Sequence, residues 1–107
     1  MAANGAPDEH CPSEALRLLG DYTTLRIIDF LSGSALRFTD LRRVLDDTNV
    51  PTLVARLKRM TKAGLVTRSE ATLDGKSVTY ELTEDGKALL PVLRAIQSFA
   101  QRTRSRA

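Results

Sequence analysis

Ala55, Lys58, Arg59 and Lys62 share a spacing that could do chemistry. With successive residues about 100° apart around a helix axis they fall on one side, opposite a narrow stripe of Leu53, Leu57 and Met60. The chemistry on offer is charge neutralisation, since clustered Lys and Arg displace condensed counterions from a phosphate backbone. Arg42, Arg43 and Arg56 lie close by in the chain. A second reactive group is Cys11, the only cysteine, so neither an intramolecular disulfide nor a paired-cysteine metal site can form. At a helix N-terminus its thiol pKa would fall, opening it to oxidants and electrophiles; its other reading is a small packed side chain at a subunit contact. His10, the one histidine, adjoins it in a polar arm, and adjacency there is not the fixed geometry a nucleophile needs. With no glycine-rich phosphate loop and no acid, base and nucleophile set, the expectation is no enzyme, no cofactor and no metal.

The basic face needs a frame to present it. Asn49 stands at an N-cap position, Val50-Pro51-Thr52 suits a first turn, and Gly64 stops the helix. Upstream, Thr39 is expected to cap a shorter helix with Leu41, Val44 and Leu45 on its apolar side, and Asp46 to Asn49 make the turn. Two short helices joined this way form a helix-turn-helix, whose second helix enters the major groove of double-stranded DNA. After Gly64 the period changes. Residues 65–73 and 76–82 are strand-type runs separated by Asp74-Gly75, a strong hairpin signal. That turn would set Arg68 opposite Glu81 and Ala71 opposite Val78, with Val78, Tyr80 and Leu82 on one face and Lys76 near the tip. A hairpin after a recognition helix is a wing.

Flanking elements complete the frame. Residues 1–10 read as a flexible arm. Pro12 opens a helix that carries Ala15, Leu16 and Leu19 to a stop at Gly20, which would put Cys11 at its N-cap. A second helix over about residues 23–31 would bury Leu25, Ile28 and Leu31, flanked by Ile27 and Phe30, and Arg37-Phe38 form a short extended piece. Thr83 caps a last helix with Glu84 and Asp85 in its first turn and a stripe of Leu89, Val92, Leu93, Ile96, Phe99 and Ala100. Pro91 within it should produce a kink. So long a stripe outruns the core of a 107-residue chain, and its expected destination, with Leu16 and Leu19, is a second subunit.

Bulk properties agree. The chain is one domain in length, and its charge is uneven: residues 1–36 carry two basic and five acidic side chains, residues 37–76 nine and five, residues 77–107 five and three. The excess sits on the helix-turn-helix. No apolar run approaches the roughly 18 residues that span a membrane, and the first ten residues lack signal-peptide features, so a cytoplasmic protein without a membrane partner is expected.

Four segments in order, CPSEALRLLG, RFTDLRRVL, TLVARLKRMTKAGLVTR and VTYELTEDGKALLPVL, resemble the HxlR-type (DUF24) winged helix-turn-helix regulators over roughly residues 11–100. The resemblance implies an α+β, mainly helical fold with a two-stranded β-hairpin wing. It also implies terminal dimerisation helices (11–20 and 83–100), with a basic tail over 101–107. The function implied is a homodimeric transcriptional regulator binding an imperfect palindromic operator. Several members sense oxidants, reactive carbonyls or quinones through a cysteine at the place of Cys11, which makes an oxidant or small-molecule effector the expected signal. The family usually has Trp in a Gly-Lys-Trp-Thr phrase; here Asp21-Tyr22-Thr23-Thr24 stands there, and Tyr22 or Thr23 would fill the space. Asn49, Thr52, Ala55, Arg56 and Arg59 are expected in the groove, with Arg42, Arg43, Lys58, Lys62 and Lys76 on phosphates. Val54 and Ala55 replace the polar readers usual in related helices, leaving contact with thymine methyl groups as the substitute. Two alternatives stay open: a MarR-like or PadR-like regulator with a ligand between its terminal helices, and a winged-helix protein-interaction module that does not bind DNA.

Overall fold

The computed structural model describes residues 12–70 and 77–106. Along the chain these form α1 (Pro12–Leu19), α2 (Tyr22–Leu31), β1 (Leu36–Arg37), α3 (Phe38–Val44), α4 (Val50–Lys62), β2 (Val66–Glu70), β3 (Val78–Leu82), α5 (Glu84–Lys87) and α6 (Leu90–Arg106). The residues 1–11, with Cys11 and the arm, and 71–76, with Ala71, the Asp74-Gly75 turn and Lys76, lie outside that description, as does Ala107. No described helix is long and apolar enough to cross a membrane. The architecture is a winged helix, mainly helical with a small antiparallel sheet.

The core follows from helical spacing. Leu53, Leu57 and Met60 of α4 are buried against Ile27, Ile28 and Leu31 of α2 and Leu41 and Leu45 of the α3 region, and Leu65, Val66, Tyr80, Leu82 and Leu93 close it. Each such aliphatic side chain contributes about 1.5–3 kcal/mol on leaving water. In α2 the buried set is Thr24, Ile27, Ile28 and Leu31, while Leu25 is half-buried and Phe30 exposed. The rotation relative to expectation has a polar cause: the Thr24 hydroxyl donates to the Asp21 carboxylate at 2.7 Å, so threonine can be buried. Tyr22, expected to fill space, is exposed instead, with the Arg26 guanidinium 5.2 Å from its ring centroid.

Helix ends are set locally. Asn49 caps α4 by accepting the Thr52 N–H at 2.8 Å. Gly64 ends it at φ 80°, a left-handed conformation in which glycine has no Cβ penalty. Helix α3 begins at Phe38, so Thr39 lies inside the first turn rather than capping it; Asp40 accepts the Arg37 N–H at 3.3 Å and fixes the earlier start.

The sheet has three strands in the order β1-β3-β2, all antiparallel. Two-residue β1, pairing Leu36 with Tyr80, adds a strand to the expected hairpin. In β2 and β3 the register differs by one from expectation: Arg68 lies opposite Tyr80, Thr67 opposite Glu81 and Glu70 opposite Val78. Residues directly opposite share a face, so this register joins Val66 to Leu82 in the core. The expected one would have put buried Val66 on the face of exposed Glu81. Arg68 accordingly pairs with Glu70 at 3.1 Å.

The last helix is divided. Thr83 caps α5, accepting the Gly86 N–H at 3.1 Å, and its hydroxyl donates to the Gly64 carbonyl at 2.6 Å, tying the end of α4 to the end of β3. A turn at Ala88-Leu89 follows, and Pro91 falls in the first turn of α6, where its missing N–H breaks no bond. It therefore starts a new helix instead of kinking one. Leu93 belongs to the chain's own core, and Leu89 packs against it. Beyond Leu93 every side chain through Arg104 is exposed.

Candidate nucleic-acid interface

Helix α4 divides its circumference into functions. No acidic residue occurs in Val50–Lys62. With the Leu53-Leu57-Met60 stripe inward, Ala55, Lys58 and Lys62 point outward and are exposed, with Asn49 exposed and Thr52 half-buried at the N-terminal end. Arg42 and Arg43 of α3 are exposed beside a shallow hollow that they line with Thr39, and Arg43 is drawn to Asp40 at 3.2 Å. Arg42, Arg43, Lys58 and Lys62 are the exposed cations of the two helices.

Arg56 and Arg59, expected in the groove, both make contacts within the chain. The Arg56 Nε donates to Asp21 Oδ2 at 2.9 Å, and the Arg59 guanidinium donates to the Thr24 hydroxyl at 3.3 Å and stands 3.9 Å from the same carboxylate. Asp21 also accepts the Thr24 N–H at 2.9 Å as N-cap of α2. One carboxylate thus fastens the first turn of α2 to the flank of α4, across 35 positions of sequence. Partial burial works against its charge, but the hydrogen bonds from Thr24 and Arg56 and the Arg56 charge outweigh this, holding Asp21 below the ordinary carboxylate pKa. Residue types alone cannot separate an arginine that meets DNA from one that braces a helix. The available signal was Asp21 three residues ahead of Thr24, an N-cap spacing.

A second tie aligns the turn of the helix-turn-helix. Arg26 of α2 donates to Asp47 at 2.7 Å and to the Val44 carbonyl at 3.4 Å. The Arg26 hydrogen bond lowers the Asp47 pKa, and Asp47 raises that of Arg26. Helix α2 therefore grips both the turn and α4, which leaves α4 little freedom to rotate.

On the other flank of α4, Val54, Lys58, Thr61 and Lys62 face the sheet across an open groove of about 830 Å³. Of the dimer candidates, Leu16 is 70% exposed, Val92 43%, Ile96 45% and Phe99 63%, with Leu19 half-buried. Among the described residues, no three His, Cys, Asp or Glu gather as a metal site would require.

Residues 18–107 match the HxlR-like helix-turn-helix family. The chain is 32% identical over 95 residues to the HTH-type transcriptional regulator YvaP of Bacillus subtilis, covering 86% of this chain and 87% of the relative. Among solved structures, the transcriptional regulator YodB of B. subtilis in its reduced form superposes with a TM-score of 0.76 at 30% identity, covering 86% of this chain and 92% of that one. YodB has also been solved with quinone bound; that structure gives a TM-score of 0.74 at 29% identity, over 86% of this chain and 99% of that one. A MarR-family regulator from Porphyromonas gingivalis W83 gives a TM-score of 0.78 at 26% identity, covering 91% and 96%.

Proposed function

The chain belongs to the HxlR-like helix-turn-helix family of transcriptional regulators, which are not enzymes, and from that premise we propose that it binds operator DNA as a homodimer through α4. The observation that carries the reading is the division of α4: a fully buried apolar stripe, an outward face of Ala55, Lys58 and Lys62, and no acidic residue in the helix. In this reading Thr52 and Ala55 meet base edges in the major groove, and Ala55 offers a methyl contact to thymine. Asn49, Arg42, Arg43, Lys58, Lys62 and Lys76 meet phosphates. Arg56 and Arg59, through Asp21 and Thr24, position α4 rather than read bases.

Dimerisation is supported by the far half of α6. Val92, Ile96 and Phe99 recur at i, i+4 and i+7 and stay exposed in a single chain, as does Leu16 of α1. A symmetric pair would bury them and set two copies of α4 against successive major grooves. Cys11 is proposed as the effector thiol, on the ground that it is the only cysteine and that the related YodB has been solved both reduced and quinone-bound.

The test is binding of the purified protein to its own upstream DNA and to unrelated DNA across a salt series, with and without a quinone. Specific binding at dimer stoichiometry is expected, with Lys58→Ala and Lys62→Ala each reducing the slope of log K against log salt by about 1. Quinone should loosen the complex in the native protein and leave a Cys11→Ser variant unaffected. Equal, weak binding to both DNAs would leave only a basic surface and favour a protein-interaction module.

A further inference from the structure

One carboxylate and two guanidinium groups meet where α2 packs on α4, so the cluster of Asp21, Arg56 and Arg59 carries one positive charge in excess. Distance assigns that excess to Arg59. Arg56 donates to Asp21 Oδ2 at 2.9 Å, and the same oxygen accepts the N–H and the hydroxyl of Thr24. Arg59 is left 3.9 Å from the carboxylate, beyond hydrogen-bond reach, with one N–H on the Thr24 hydroxyl at 3.3 Å. Its side chain is 43% exposed, and a guanidinium has further N–H donors to offer. Thr52, Ala55 and Arg59 follow at i, i+3 and i+7, so Arg59 shares the outward side of α4 with the residues assigned to the groove. It is turned toward α2, whereas Lys58 is turned toward the sheet. A helix lying in the major groove has a phosphate backbone on either side. Lys58 and Lys62 would serve one of them, and Arg59 is placed for the other.

We propose that Asp21 is an internal competitor for DNA: on binding, the Arg59 guanidinium leaves Asp21 and Thr24 for a backbone phosphate, and Asp21 sets the affinity by opposing that exchange. Asp21 acts through Arg59 and is a positioning residue. Arg56 keeps its own contact and, by neutralising Asp21, keeps the competition weak. A half-exposed ion pair at 3.9 Å contributes little, so little opposes the exchange. The proposal rests on the DNA-binding reading above and adds to it a contact on the α2 side of α4.

The test is the affinity of the full chain for a duplex of its own upstream DNA across a salt series, normalised to the active fraction of each variant. Arg59→Ala should weaken binding and reduce the slope of log K against log salt by about 1 per bound chain. Arg59→Lys should keep the slope, since an ammonium also meets phosphate. Asp21→Asn should tighten binding about threefold in the native chain and have no effect in the Arg59→Ala background. A general gain from losing a negative charge would instead appear in both backgrounds, and equally in Asp29→Asn, an exposed aspartate further along α2. Arg56→Ala leaves Asp21 unneutralised, so it should draw Arg59 inward and weaken binding, and adding Asp21→Asn should restore it. An unchanged slope in Arg59→Ala, or an Asp21→Asn effect that is absent, reversed or independent of Arg59, overturns the proposal and leaves the regulator reading in place. Failure of the native chain to bind any duplex removes both.

Discussion

Replacing Asp21 tests the bracing of α4 directly. A single oxygen, Oδ2, accepts the Thr24 N–H at 2.9 Å, the Thr24 hydroxyl at 2.7 Å and the Arg56 Nε at 2.9 Å. Loss of an N-cap acceptor costs about 1 kcal/mol. The pair with Arg56 is partly screened, the two side chains being 21% and 31% exposed, and contributes about 1 kcal/mol at most. Thr24 is fully buried, so stripping its hydroxyl of a partner costs up to about 1 kcal/mol more. Because the three bonds share one oxygen they are not additive, and Asp21→Ala should destabilise by about 2 kcal/mol rather than the full sum. Asp21→Asn keeps a carbonyl for the cap and for Thr24 while losing the ionic partner of Arg56, so its loss should be about 1 kcal/mol. Urea unfolding at fixed protein concentration measures both, and a double-mutant cycle with Arg56→Ala should return a coupling of about 0.5–1.5 kcal/mol. Both variants within about 0.5 kcal/mol of the native protein, or a coupling of zero, would refute the brace.

The same carboxylate sets an acid response. Its folded pKa is depressed, so its stabilisation is complete above the unfolded value of about 3.9 and drains away as pH falls through the folded value; the native protein should lose more stability than Asp21→Asn over that acid range, measured by unfolding at successive pH values. Gly86→Ala should lower Tm sharply, because an added Cβ would collide with the Leu65 backbone carbonyl, which also accepts the Thr83 N–H at 3.0 Å and cannot swing aside. Leu93→Ala and Phe99→Ala should part company: the first removes a core side chain and costs about 2–5 kcal/mol in unfolding, the second leaves the folded chain intact and weakens self-association in sedimentation equilibrium.

What the sequence disclosed and what it hid divide along the range of the interactions. The ends of α4 were readable because Asn49 and Gly64 act on backbone groups within one turn, and its buried face because Leu53, Leu57 and Met60 repeat at helical spacing. The wing's existence was readable and its register was not, since a slip of one residue exchanges the two faces and only the joint burial of Val66 and Leu82 decides between them. The short extended piece expected at Arg37-Phe38 is strand β1 displaced by one residue, Leu36–Arg37, with Phe38 opening α3; two residues are too few for alternation to show its pairing partner. Pro91 was plain in the sequence, yet whether it bends a helix or begins one depends on the turn at Ala88-Leu89 just before it. The arginines illustrate the deepest limit. Arg56 and Lys58 are equally basic and two residues apart, so they point about 200° away from each other around the axis of α4. One reaches Asp21 and fixes the helix to α2; the other overlooks the groove and remains available to an anion. The partner of Arg56 is an aspartate 35 positions upstream, a relation that no local pattern encodes.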